Sequence, residues 1–97
     1  MINVLIIEDQ RMMRETMETY ITQTEGYHLA GSFPAASDAE RFCALNPVDL
    51  ILMDVCTEND ESGFVATKAI KSRFPKIKVI IVTSMLDAGY LNRAREV

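Results

Sequence analysis

Ninety-seven residues are enough for one compact domain with a single core and leave no room for a second. With 48% hydrophobic and 25% charged residues, the composition is that of a soluble globular protein and excludes disordered, collagen-like and low-complexity classes. A formal charge of -4 argues that this segment binds no nucleic acid, because affinity for a phosphate backbone rests on clustered Lys and Arg.

The chain opens on an apolar run, Ile2 to Ile7, that stops at Glu8-Asp9. No basic n-region or cleavage site precedes it, and no run approaches the ~20 apolar residues that cross a bilayer, so a cytoplasmic protein without membrane contact is expected. Met13, Met17, Tyr20 and Ile21 then recur at three- and four-residue spacing, which predicts a helix with one apolar face, stopped by Gly26. Met12 is expected to pack as well. A weaker strand, His28 to Phe33, is closed by Pro34.

Ser37-Asp38 are predicted to cap a second helix carrying Ala39, Phe42, Cys43 and Leu45, which Asn46-Pro47 terminates. A third strand, Leu50 to Met53, stops at Asp54. Ser62-Gly63 open a third helix with Phe64, Thr67, Ile70 and Phe74 on its apolar side, ended by Pro75. Val79 to Val82 form a fourth strand that runs into Thr83-Ser84, and the segment from Asp87 has helical character. Cys43 and Cys56 have no metal-ligand spacing and read as reduced thiols.

Apolar runs without alternation suit strands buried on both faces of a parallel sheet. Strands alternating with helices imply right-handed crossovers, and so an α/β fold with a doubly wound parallel sheet. Ligands in such sheets sit beyond the carboxyl ends of the strands, where this sequence puts Glu8, Asp9, Asp54, Thr83 and Ser84.

Three carboxylates in one crevice repel unless a cation neutralises them, and hard oxygen ligands suit Mg²⁺. Asp54, alone at its strand end, is placed to attack phosphorus with one oxygen while the other faces the metal. The Thr83 hydroxyl and the Ser84 backbone amide are placed to donate to phosphoryl oxygens. Each residue also has a plainer role: Asp9 as a helix N-cap, Asp54 as a turn start, Thr83 as a locally bonded strand-end hydroxyl. Co-occurrence at three strand ends in the order the fold requires favours the chemical role.

The segments MINVLIIEDQRMMRE, DLILMDV and VIIVTS resemble those of response-regulator receiver domains, in particular members that precede a helix-turn-helix output domain. The resemblance covers the whole chain and implies a flavodoxin-like sheet of order 2-1-3-4. It implies that Glu8 and Asp9 bind Mg²⁺, that a histidine kinase phosphorylates Asp54, and that Cys56 lends the metal its backbone carbonyl. Thr83 takes the place of the switch hydroxyl. The protein is then a phosphoacceptor switch of a two-component system rather than a turnover enzyme, relaying its state to a DNA-binding, transcription-regulating output.

Two departures from that family stand out. The loop Glu58-Asn59-Asp60-Glu61-Ser62-Gly63 lacks the usual proline and places Gly63 one residue late. The family's fifth strand, with its phosphoryl-pairing lysine, and its fifth helix would lie beyond Val97. Without them the fourth strand is an edge, residues of the Val4 to Ile7 and Leu50 to Met53 runs meet water, and self-association is expected. Two other functions compete: a receiver-like interaction module that is never phosphorylated, or a fragment disabled by its missing end, and an aspartate-nucleophile phosphatase of the haloacid-dehalogenase type. The phosphatase needs a second aspartate two residues after the nucleophile, and Cys56 stands there.

Overall fold

A computed structural model describes residues 1–54 and 62–82. Among the described residues four strands and three helices alternate: β1 (Ile2–Ile7), α1 (Arg11–Thr22), β2 (Tyr27–Phe33), α2 (Ser37–Leu45), β3 (Leu50–Asp54), α3 (Ser62–Arg73) and β4 (Lys78–Val82). All strand pairs are parallel, in the order β2-β1-β3-β4, as expected. The segment from Asp87 lies outside the described residues.

β1 is the strand that the apolar-run argument describes best. Leu5 and Ile7 face a core built with Ala39, Cys43, Ile51, Met53, Phe64 and Ile70, while Val4 and Ile6 face a second core with Ile21 and the partly buried Met17 and Leu29. Alternate residues of one strand thus feed two cores, as the two-residue period of a strand requires. α1 covers one side of the sheet, and α2 and α3 the other. Val4 and Ile6 are 0% exposed, contrary to the expectation that this run meets water. In the second run named, Leu50 and Leu52 are half-buried while Ile51 and Met53 are 0% exposed, and Ile80 on β4 is 49% exposed.

α1 corrects the sequence reading. Met12 is 82% and Tyr20 70% exposed, and Met13 is also exposed; the side turned to the sheet runs through Arg14, Met17, Glu18 and Ile21. Counting only apolar residues rotated the face, because two charged residues occupy it. Leu45 likewise lies exposed at the end of α2. Ser37 and Asp38 are the first residues of α2 rather than its cap, a position held by Ala36 without a side-chain bond. The end of α2 is as expected: Asn46 turns extended (φ -141°, ψ 149°), the conformation that a following proline imposes, and its Nδ2 donates to the Phe42 carbonyl at 3.1 Å.

Two glycines serve geometry. Gly26, at φ +90°, makes the turn into β2 and accepts the Ile2 amide at 2.8 Å. Gly31 lies where β2 passes under the Phe42 ring, and a Cβ there would meet Phe42 Cζ at 2.8 Å and Phe33 Cε2 at 3.2 Å. These two rings pack edge to face with centroids 5.3 Å apart. β2 also carries a bulge: Val4 pairs with Leu29 and Leu5 with Gly31, so Ala30 is skipped. Cys43 is a buried free thiol, and burial raises its pKa.

Gly31→Ala should therefore destabilise the protein by about 1–2 kcal/mol through overpacking. Urea unfolding will show a lowered midpoint, and most of the loss should disappear when Phe42→Leu is added; additive losses would contradict the contact.

Candidate metal and phosphoryl site

Reversal of the chain's winding direction leaves a crevice between the carboxyl ends of β1 and β3, because α1 departs on one side of the sheet and α2 returns on the other. Glu8 and Asp9 leave β1 at this crevice, and Asp54 is the last residue of β3. Each offers a carboxylate oxygen, and the three lie within 4.8 Å of one another. Glu8 is buried, Asp54 half-buried and Asp9 exposed, so the cluster opens to solvent on the Asp9 side. Cys56, Thr83 and Ser84 lie outside the described residues, as do Glu58 to Glu61 of the loop.

The role of Asp9 as helix cap is not borne out. The cap position belongs to Gln10, which makes no side-chain cap bond; its amide donates instead to Glu8 Oε2 at 3.1 Å. The Glu8 carboxyl is pushed up from 4.5 to about 7, first by burial and then by hydrogen bonding and repulsion from Asp54. The Gln10 amide opposes this shift, and a bond with Asp9 adds to it. Near neutral pH the cluster is thus poised between holding a proton and holding full negative charge.

A divalent cation fits this chemistry, since it would replace the proton and relieve the repulsion. The ligands are all hard carboxylate oxygens.

Sequence reasoning missed what holds the pair in place. Arg14 Nη1 donates to the Glu8 carbonyl at 2.9 Å, and Arg14 Nε stands 3.9 Å from Glu18 Oε2. That same Glu18 oxygen accepts from Ser32 Oγ on β2 at 2.6 Å. The available signal was the i,i+4 spacing of Arg14 and Glu18 on the side of α1 that also carries Met17 and Ile21.

The sheet order and the carboxylates at its switch point define a flavodoxin-like α/β protein of the receiver type. A family profile described as response regulator receiver domain matches residues 4–97, and the chain belongs to this family. The response regulator protein VraR of Staphylococcus saprophyticus is 34% identical over 94 residues, covering 96% of this chain and 44% of VraR. The response regulator UvrY of Escherichia coli is 30% identical over 83 residues, covering 86% of this chain and 38% of UvrY. The chain therefore spans less than half the length of these curated relatives. A DNA-binding response regulator of the LuxR family from Staphylococcus aureus shares the fold with a TM-score of 0.87 at 24% identity, covering 99% of this chain and 79% of that one.

The proton on Glu8 sets a pH dependence of unusual sign. Between pH 4.5 and about 7 the folded protein keeps a proton that the unfolded chain has lost, so stability falls as pH rises through this window. Thermal unfolding of the metal-free protein should show a loss on the order of 2 kcal/mol, absent in Glu8→Gln. Added Mg²⁺ should raise the melting temperature more at pH 8 than at pH 5, because proton and cation compete for one site. A slope that persists in Glu8→Gln would place its origin elsewhere.

Proposed function

We propose that this chain is the phosphoacceptor part of a two-component response regulator, with Asp54 as the phosphorylated residue and Glu8, Asp9 and Asp54 as ligands of Mg²⁺. The observation that carries the reading is the convergence of three carboxylates within 4.8 Å at the switch point. One Asp54 oxygen attacks the phosphorus of a phosphohistidine on a histidine kinase while the P–N bond breaks and the imidazole leaves with its electron pair. The product is an aspartyl phosphate, and the kinase histidine recovers its proton from solvent. Mg²⁺, when bound, spreads the charge developing on the phosphoryl oxygens.

Glu8, buried, and Asp9, exposed, give the cation an inner and an outer carboxylate, while Asp54 contributes both a ligand and the nucleophile. In this reading the Cys56 carbonyl completes the protein ligands, and the Thr83 hydroxyl and Ser84 amide receive the phosphoryl oxygens. The new charge then biases a surface that a further domain reads. A DNA-binding output is supported by the sequence likeness to helix-turn-helix members and by the greater length of VraR and UvrY. The domain acts as a regulated acceptor in the cytoplasm, not as a turnover enzyme. Val4 and Ile6 are covered and offer no surface for self-association.

Incubation with a small acyl phosphate and Mg²⁺ should add one phosphoryl group, detectable by intact-mass measurement. Asp54→Asn should abolish it, and Thr83→Ala should keep the label while weakening the output of the longer regulator. Equal labelling of folded Asp54→Asn would refute the assigned nucleophile.

A further inference from the structure

Glu8 has both of its backbone polar groups tied down. Its amide donates to the carbonyl of Phe33, the last residue of β2, at 3.0 Å. Its carbonyl accepts from Arg14 on α1. Arg14 in turn reaches toward Glu18, one turn on, and Glu18 is held by Ser32, the neighbour of Phe33. The path is closed: β2 to Glu8, to Arg14, to Glu18, and back to β2. Arg14 and Glu18 are partly buried, with side chains 20% and 32% exposed, unlike the solvent-facing Arg11–Glu15 pair on the same helix at 83% and 57%.

The carbonyl that Arg14 grips belongs to the planar peptide unit joining Glu8 to Asp9. The orientation of that plane sets where both side chains leave the main chain. Without a cation, mutual repulsion of the carboxylates favours any rotation of this peptide that spreads them apart. A guanidinium anchored at its far side to α1 and β2 resists that rotation.

We propose that Arg14, braced by Glu18 and Ser32, is a positioning residue that holds the Glu8–Asp9 peptide in the orientation that gathers the metal-binding carboxylates. The proposal rests on reading Glu8, Asp9 and Asp54 as a divalent-cation site. It makes a demand opposite in sign to simple electrostatics. Removing a positive charge near a cation site strengthens cation binding by Coulomb's law, whereas removing a positioning group weakens it. The fork matters as well as the charge, because the guanidinium presents Nη1 to one partner and Nε to another and a lysine has a single head group.

The test is a Mg²⁺ titration of the 97-residue chain, followed by the amide NMR shifts of Glu8, Asp9 and Asp54, with metal-free thermal unfolding of each variant alongside. Arg14→Met and Arg14→Lys should each weaken Mg²⁺ binding about tenfold, the range found when a group supporting metal ligands is lost. Glu18→Gln should weaken it several-fold, and the Arg14→Met/Glu18→Gln pair should bind no more weakly than Arg14→Met, since both break one path. Arg11→Met, which removes the exposed pair, should bind as wild type. Unchanged or tighter binding by Arg14→Met, wild-type affinity in Arg14→Lys, or losses that merely follow melting temperature and recur in Arg11→Met would each overturn the proposal. Absence of Mg²⁺ binding by the wild-type chain would instead remove the cation site itself, and the proposal with it.

Discussion

A carboxylate that is almost fully buried beside two others cannot hold its charge without help, and Glu8 is in that position. Water solvates it poorly, Asp54 repels it, and the Gln10 amide compensates in part. The remaining options are a proton or a cation. A site caught between these options stores an unfavourable interaction at one end of the sheet, which the packing elsewhere must offset. Phosphorylation, on the reading proposed above, would change the charge at the same point and thereby the balance on which the local conformation depends.

The packing that offsets it is concentrated on β1. Its residues Val4 to Ile7 feed both cores, so the strand cannot shift without uncovering apolar side chains on two sides. β1 and β3 pair in register from Val4–Leu50 to Ile7–Met53, which carries the positional certainty of the core up to the ends where Glu8 and Asp54 leave it. At the other end, Asn3, Asp49 and Lys78 exchange backbone bonds, and the Asp49 carboxylate also accepts the Asn3 amide at 2.8 Å. The acidic cluster is therefore mounted on strands that carry the core, while its one exposed member, Asp9, lies where the chain turns away from them.

Strands and carboxylates were legible in the sequence for the same reason: a continuous apolar run that stops at an acidic residue reports burial and its end together. Helix orientation was less legible. Apolar spacing suggested Met13 and Tyr20 as inward residues, whereas Arg14 and Glu18 are brought inward by polar partners, the Glu8 carbonyl and Ser32. A main-chain carbonyl has no signature in a sequence, and Ser32 lies on a strand whose register is not readable from local pattern. The cap expected at Ser37 failed for a related reason: Ser37 is a good capping residue, but the chain begins its helical turn one residue sooner. Glu8, Asp9 and Asp54 needed only strand ends to be located, and the fold brings the three carboxylates together.

The skipped residue in β2 has a consequence for the strand's parity. Tyr27 and Leu29 face the α1 side together with Val4, so strict alternation would send Phe33 to that side and Ser32 to the other. Passing over Ala30 inverts the phase. Phe33 joins Phe42 on the α2 side, and Ser32 comes round to meet Glu18. Pairing the same residues without the bulge would thus transpose an aromatic ring and a hydroxyl across the sheet. The irregularity between Gly26 and the end of this strand is therefore as much a part of the support around Glu18 as any side chain.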